Sequence, residues 1–249
     1  MGIRGFPDVQ GGIEKHCEEL YSRLAGEYFD ITVLARKGYV KSHAAAFHGV
    51  RIVPLWAPRT KHLEAIFHTA IGMIWVAKRR RNFDIIHLHA IGPSLLAYAA
   101  RKLRLRLVIT HHGPDYDRQK WGLAAKKILR LGEFLGVRYA HVVIAVSSHI
   151  RQMLLEKYDS NAVYIPNGVN PGWIRPPGPV LRDHGLEKGK YILAVGRLVP
   201  EKGFHLLLRA YSKLNTDWNL VITGNADHED DYSIGLKREA GNTRGVVMT

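Results

Sequence analysis

Short apolar runs alternate with amphipathic stretches along most of this chain. The apolar runs are rich in β-branched residues and have the length of buried strands, whereas the stretches between them have apolar residues at helical spacing. The predicted strands are DITVLAR, VRIVPL, DIIHLHA, RLVITHH, HVVIAVS and AVYIP, and the predicted helices cover about 13–25, 63–81, 94–102, 120–139 and 149–156. This alternation predicts parallel sheets of the doubly wound α/β type, which bind ligands at the carboxyl ends of their strands.

A stretch with four prolines and four glycines, residues 170–190, interrupts the alternation. Because proline removes helix and strand options, we predict a first domain over residues 1–169, a linker over 170–188 and a second domain over 189–249. The second domain has three predicted strands, YILAV, NLVIT and GVVMT, and two helices. That is about half of a doubly wound domain, and no strand precedes the first glycine loop, so we expect a truncated gene product, a partial reading frame or a fragment.

The composition indicates a globular protein, with 46% hydrophobic residues and a single cysteine, Cys17. One cysteine excludes an internal disulfide and fits a reducing compartment. The N-terminus lacks the apolar segment of a secretory signal, and the longest apolar stretch, residues 65–77, is shorter than the ~20 residues that span a bilayer. We therefore expect a cytoplasmic protein, peripheral at the inner face of the membrane if it binds one.

The net charge of +14 is concentrated between Lys78 and Arg138, where fourteen lysines and arginines stand against four acidic residues. Much of this charge follows apolar helical periods, a pattern that favours an anionic membrane surface, although a solvated helix face explains it equally well. A nucleic-acid-binding module would also explain the charge, but no recognised binding motif or stacking platform accompanies it. We expect no nucleic-acid partner.

Two cations flank the predicted start of a helix near Phe204. Arg197 follows the strand YILAV, and Lys202 precedes the helix. Bases are common on surfaces, but two cations at the positive end of a helix dipole are unfavourable unless an anion lies between them. We therefore interpret this turn as a phosphate site.

Gly11, Gly12 and Glu14 lie at the predicted start of the first helix. Two glycines let the backbone approach an anion, and a glutamate in the first turn favours the helix dipole, so either an anion-binding loop or a simple N-cap fits.

Four histidines, His87, His89, His111 and His112, lie at the ends of two predicted neighbouring strands. Their spacing does not match a metalloprotease or deaminase zinc site, so we expect no metal, and hydrogen-bonded histidines that close the strands are the plainer alternative.

Three motifs in order carry a resemblance to a known family. GRLVPEKG followed by LLLRAY resembles the donor-phosphate motif of family 4 retaining glycosyltransferases, YIPNGVN resembles their interdomain signature, and GIRGFPDVQGGIEKHCEEL resembles the N-terminal loop of their bacterial polysaccharide rhamnosyl- and galactosyltransferase-like members. The resemblance implies a GT-B fold of two Rossmann-like doubly wound domains, the second one incomplete here. The family's downstream E-x7-E motif does not occur before Thr249.

The family's reaction transfers a sugar from a nucleotide diphosphate, such as a UDP- or GDP-sugar, to a lipid-linked or saccharide acceptor with retention, without a cofactor or metal. The resemblance assigns catalysis to His112, Arg197 and Lys202, and hinge positions to Asn167 and Gly168. It assigns donor phosphate binding to Gly11, Gly12, Glu14, Arg197 and Lys202. An inactive fragment of such an enzyme, a basic nucleic-acid-binding protein and a metal hydrolase remain the alternatives.

Overall fold

We describe a computed structural model of the chain, for residues 1–26, 29–40, 46–58, 60, 64–118, 121–172, 176–226 and 229–249. Contacts divide the chain into two compact units, Met1–Val169 and Asn170–Thr249. In unit 1 the helices are α1 (Gly12–Leu24), α2 (Glu64–Ala77), α3 (Ala97–Lys102), α4 (Leu123–Tyr139) and α5 (Ser148–Tyr158). Its strands are β1 (Thr32–Arg36), β2 (Ala46–Phe47), β3 (Val50–Leu55), β4 (Ile85–His89), β5 (Arg106–His111), β6 (Val142–Ala145) and β7 (Val163–Tyr164).

The strands of unit 1 form two sheets. One has the order β1-β3-β2, with β2 antiparallel, and the other is the fully parallel sheet β4-β5-β6-β7. Residues Met1–Arg4 join them at the carboxyl ends of β1 and β4, because His89 N–H donates to the Met1 carbonyl (3.1 Å) and Arg36 N–H donates to the Arg4 carbonyl (2.8 Å). The N-terminal loop is therefore held at the sheet edge where α/β proteins bind ligands.

Unit 2 contains a three-stranded parallel sheet of order β10-β9-β8. Its core packs Leu198, Phe204, Leu208, Leu220 and Ile222 together. The strands are β8 (Tyr191–Val195), β9 (Asn219–Thr223) and β10 (Val246–Met248), and the helices are α6 (Val180–Asp183), α7 (Phe204–Tyr211) and α8 (Asp231–Gly241).

Strand alternation sorts the histidines between the two faces of the β4–β5 pair. Ile86 and Leu88 of β4 pack in one core with α2 and α3, so His87 and His89 point to the opposite face, where α1 lies. The helices α2, α3, α4 and α5 share the first face: α2 and α4 both contact residues 93–96, α3 contacts α4, and a hydrogen bond joins α4 to α5. The topology thus separates α1 from the other helices of unit 1.

Local sequence explains most element boundaries, and two expectations were wrong. The second predicted helix ends at Ala77 rather than Arg81, with a 3₁₀ turn over Arg80–Asn82 after it. The predicted linker contains the short helix α6, which begins directly after Pro179, a position where proline's missing N–H costs no hydrogen bond. Leu63 and Lys120, where two helices were predicted to begin, lie outside the described residues.

Candidate functional site

The start of α1 forms one part of the carboxyl edge of unit 1. The Glu14 carboxylate folds back over the helix N-terminus, where one oxygen accepts from Arg4 N–H (3.1 Å). The other oxygen lies 2.0 Å from where a Cβ on Gly11 would be, and Gly11 has φ 155°, so only glycine fits beneath it. A Cβ on Gly12 would meet open space. Glu14 therefore fixes the shape of the loop, while its part in donor binding, like that of the two glycines, stays a prediction.

His112 follows β5 and faces α1. Its ring lies edge-on to His16, with 5.5 Å between centroids, and side by side with the His89 ring, with 5.3 Å between centroids and 26° between the ring planes. Because Gly12 and His16 are four residues apart on α1, they share one face of that helix. The structure thus brings Gly12, His16 and His112 to one edge of unit 1. The sequence analysis assigned roles to Gly12 and His112 but not to His16.

A chain of hydrogen bonds runs from β5 through β4 and α1 back to His112. The Thr110 hydroxyl lies 2.7 Å from His87 Nε2, and the Tyr21 hydroxyl bridges His87 Nδ1 (2.8 Å) and His89 Nε2 (2.6 Å). His89 Nδ1 lies 3.0 Å from His112 Nε2. We name these five side chains the histidine relay.

Burial keeps the imidazoles of the histidine relay neutral. Desolvation, reinforced by neighbouring positive charge, lowers the pKa of His87 to about 3 and that of His112 to about 4. It also lowers the pKa of His89 well below the usual value for histidine. Each ring therefore carries one proton at neutral pH.

The ring nitrogens of the histidine relay pair with Thr110, with Tyr21 or, between His89 and His112, with each other. Across the described ranges, no three histidine, cysteine, aspartate or glutamate side chains are arranged to hold a metal ion. The geometry is that of a hydrogen-bonded network.

His111 points to the other face of the sheet, onto the buried Glu133 of α4. Its Nε2 lies 2.9 Å from a Glu133 oxygen, and Gly113 N–H donates to its Nδ1 (3.2 Å). Glu133 also accepts from Tyr116 OH (3.0 Å), from Tyr158 OH (2.7 Å) and from Lys157. Burial alone would raise the pKa of Glu133, but these partners outweigh it and lower the pKa to about 2. Sequence reasoning counted Glu133 only as a charge.

In unit 2, Arg197 and Lys202 lie on the turn between β8 and α7. A 3₁₀ turn over Pro200–Lys202 leads into Gly203, whose φ of 69° lets α7 begin at Phe204. Arg197 is half-buried and Lys202 is exposed, with its Cδ 3.8 Å from where a Cβ on Gly196 would be. Both bases thus lie on the turn that leads into α7, where the first helical N–H groups lack partners within the helix. Their role in phosphate binding stays a prediction.

Glycine is required beneath this turn. A Cβ on Gly224, which follows β9 with φ 148°, would lie 1.9 Å from the Gly196 carbonyl oxygen. Gly196 N–H donates to the Thr223 carbonyl (3.0 Å) and Leu198 N–H to that of Asn225 (3.1 Å). The backbones after β8 and β9 are therefore pressed together, and the turn has a defined shape.

Asn167 and Gly168 lie in an exposed segment just before the boundary between the units. Residues 165–172 have no regular secondary structure. β7 ends at Tyr164. One further backbone hydrogen bond follows, from Ile165 N–H to the Ala145 carbonyl (3.1 Å). The hinge role of Asn167 and Gly168 stays a prediction.

Solved structures with the same arrangement define the class of fold. Sucrose-phosphate synthase from Thermosynechococcus elongatus matches 98% of this chain and 67% of its own, with a TM-score of 0.75 at 20% identity. Anabaena HepE in complex with UDP-glucose matches 98% of this chain and 66% of its own, with a TM-score of 0.72 at 17% identity. The fold is that of the GT-B glycosyltransferases, whose domains are Rossmann-like.

Sequence comparison gives the family. The profile described as Glycosyltransferase Family 4 matches residues 10–173, and the profile described as Glycosyl transferases group 1 matches residues 181–249. The chain belongs to Glycosyltransferase Family 4.

The relatives with curated descriptions include mycobacterial enzymes. The phosphatidyl-myo-inositol mannosyltransferase of Mycobacterium leprae is 33% identical over 94% of this chain and 61% of its own length. The enzyme of the same name from Mycolicibacterium smegmatis is 29% identical over 96% of this chain and 60% of its own. The chain thus spans about three fifths of the length of these relatives.

Proposed function

We propose that the protein transfers a sugar from a nucleoside diphosphate donor to an acceptor hydroxyl with retention, in the synthesis of cell-surface polysaccharide or glycolipid. The observation that carries the proposal is the turn at the N-terminus of α7. Arg197 and Lys202 lie on this turn, and Gly203 starts the helix, so two bases are close in sequence to the N–H groups of α7 that lack partners within the helix. This combination suits a diphosphate because the turn keeps a net charge of +1, from Arg197 and Lys202 against Glu201, at the positive end of the α7 dipole.

Three of the similar proteins support this substrate class. HepE of Anabaena was solved in complex with UDP-glucose, a nucleoside diphosphate sugar. The mycobacterial relatives are named for transfer of mannose to phosphatidyl-myo-inositol, a lipid acceptor. A nucleotide-sugar donor and a lipid-linked or saccharide acceptor are therefore the partners that we propose.

In the proposed reaction, the bond between the anomeric carbon and the β-phosphate oxygen breaks while the acceptor oxygen bonds to that carbon. Arg197 and Lys202 neutralise the charge that develops on the departing phosphate, which is the role that metal ions have in other transferases. The acceptor's proton passes to a phosphate oxygen, and a nucleoside diphosphate leaves. No cofactor enters this scheme, and we propose that none is needed.

Nucleotide binding tests the diphosphate site directly. Calorimetry with UDP and GDP should show binding that the Arg197→Ala/Lys202→Ala variant loses by about 10- to 100-fold per residue, since a bond to a charged group contributes ~1.5–3 kcal/mol. The matched control is Arg209→Ala/Lys213→Ala, which removes two exposed bases from the other end of α7. Equal affinity of wild type and the Arg197/Lys202 variant for both nucleotides would refute the assignment.

We further propose that unit 1 binds an anionic membrane surface through α2 and α4. α4 exposes Leu123, Ile128, Leu131 and Phe134 among its bases, and α2 exposes Ile74 before the bases at 78–81. Both helices lie on the same face of the sheet, so their apolar side chains, the bases of α4 and the bases that follow α2 can meet one surface. None of the described helices is long and apolar enough to cross a bilayer. Peripheral binding at the cytoplasmic face fits these helices because anionic lipid attracts their bases.

Vesicle sedimentation tests the membrane proposal. Binding to phosphatidylglycerol vesicles should exceed binding to phosphatidylcholine vesicles and should fall as salt rises, because exposed charges are screened within ~10 Å at 0.1 M salt. Leu131→Gln/Phe134→Gln should weaken binding, whereas Leu206→Gln on the exposed surface of α7 should not. Equal binding to both lipids, or none to either, would favour a merely solvated helix face.

A further inference from the structure

The histidine relay, Thr110-His87-Tyr21-His89-His112, has a direction that its hydrogen bonds determine. With all three imidazoles neutral, each ring donates through one nitrogen and accepts through the other. The 3.0 Å contact between His89 and His112 needs one proton between the two rings. Each of the other contacts in the histidine relay also needs one proton, so only a few arrangements of donors and acceptors are possible.

Tyr21 limits the choice to two. Its hydroxyl lies within 2.8 Å of His87 Nδ1 and 2.6 Å of His89 Nε2. If both rings donated to the phenol oxygen, the phenol proton would have no acceptor, which is costly in a buried site. Tyr21 therefore accepts from one histidine and donates to the other. Cys17 does not favour either arrangement, because its Sγ is almost equally far from Nε2 (3.6 Å) and Nδ1 (3.7 Å) of His89.

Thr110 decides between the two remaining arrangements. Its side chain is buried, and His87 Nε2 is the one hydrogen-bond partner of its hydroxyl among the described residues. If His87 donated to Thr110, the threonine proton would be left without an acceptor. Thr110 therefore donates to His87, His87 to Tyr21, Tyr21 to His89, and His89 through Nδ1 to Nε2 of His112.

We propose that Thr110, His87, Tyr21 and His89 are positioning residues that hold His112 as the neutral tautomer with its proton on Nδ1. The ring then presents an N–H donor, not a lone pair, at the carboxyl edge of unit 1. It serves a ligand oxygen that accepts a hydrogen bond, such as a sugar hydroxyl.

This inference deepens the proposed function and rests on it for the identity of the ligand. A donor nitrogen cannot take the acceptor's proton, so His112 orients a sugar oxygen and is not the general base. The proton must then go to another group, and the departing phosphate is the one that the proposed reaction supplies. Orientation by the relay would add specificity at the sugar without adding charge.

The tautomer can be measured without any activity. Long-range ¹H–¹⁵N spectra of the ¹⁵N-histidine-labelled chain at pH 7 distinguish a protonated from an unprotonated ring nitrogen, and the His112→Gln spectrum assigns the signals of His112. We expect Nδ1 of His112 to be protonated and Nε2 to be unprotonated. Protonation on Nε2, or rapid exchange between both tautomers in wild type, overturns the proposal. Neither outcome depends on whether the protein transfers a sugar.

A variant then tests the route through Tyr21. Tyr21→Phe removes the proton that His89 Nε2 accepts, so the His112 signals should move towards a mixture of tautomers. Tyr211→Phe is the matched control, since it removes a buried hydroxyl that donates to the Trp218 and Gly245 carbonyls in unit 2. Unchanged His112 signals in folded Tyr21→Phe contradict the relay.

Kinetics provide a second measure where sugar transfer is detected. Tyr21→Phe should lower kcat/KM about 3- to 10-fold, the effect of one hydrogen bond. In a His112→Gln background the same change should have no further effect, because Tyr21 acts through His112. Additive effects would refute the coupling, while absent transfer with the expected tautomer would count against the proposed function alone.

Discussion

Glu133 should make unit 1 lose stability in acid. The carboxylate is almost completely buried and has four partners, His111, Lys157, Tyr116 and Tyr158. Glu133→Gln keeps the size of the side chain but removes its charge, and it leaves Lys157 and His111 facing an amide. The loss should appear in the free energy of unfolding at neutral pH.

The magnitude follows from the pKa. Its fall from the usual 4.5 to about 2 corresponds to about 3 kcal/mol, at about 1.4 kcal/mol per unit. Because the folded-state pKa is the lower one, this stabilisation is present above about pH 4.5 and is lost as pH falls towards 2. The wild type should therefore exceed Glu133→Gln by about 3 kcal/mol at pH 7, and the difference should shrink below pH 4.5.

Urea unfolding followed by helical ellipticity, at pH 7, 5, 4 and 3.5, measures this difference. Unit 2 is unchanged in the variant, so the difference between the proteins reports on unit 1. Glu156→Gln on α5 is the control, because Glu156 is exposed and its amide variant should differ by less than about 0.5 kcal/mol. If Glu133→Gln were as stable as wild type at every pH, the free-energy cost of desolvating the Glu133 carboxylate would equal the stabilisation by its partners. That result would refute the prediction.

Two further predictions concern backbone geometry and capping. Gly224→Ala should lower the stability of unit 2 by at least about 2 kcal/mol in thermal unfolding, because its Cβ would overlap the Gly196 carbonyl. The control is Gly235→Ala on the open surface of α8, which should be neutral or stabilising. Ser147→Ala should cost unit 1 about 1 kcal/mol in urea unfolding, since Ser147 Oγ accepts from Ile150 N–H (3.1 Å) at the start of α5; no loss would show that solvent replaces the cap.

Strand periodicity made part of the site predictable. His87 and His89 are two residues apart in one strand, so they share a face, and the expected neighbouring strands do pair, with His89 opposite Thr110. The adjacent His111 and His112 must then point to opposite faces. Sequence reasoning stopped at grouping the four histidines, although period-two alternation already separates His111 from the others.

The partners of these histidines depended on contacts distant in sequence. Tyr21 reaches His87 and His89 because α1 packs across the carboxyl end of β4, which no local pattern records. Glu133 was within reach of sequence reasoning, since helical spacing from the apolar Leu129 places it on the inner face of α4. Because α4 is rich in bases, the Glu133 carboxylate was counted with the solvated charges of that helix instead of with its buried side chains.

The separation of α1 from the other helices of unit 1 gives that unit an electrical polarity. α1 carries Glu14, Glu18 and Glu19 against Lys15 and Arg23, a net charge of −1. On the opposite side of the sheet α4 has a net charge of +3, from four bases against Glu133. This division arises from the path of the chain, because right-handed crossovers in one direction along a sheet put their helices on one side. An anionic surface would therefore orient unit 1 while it is still diffusing, and its basic side would make the first contact.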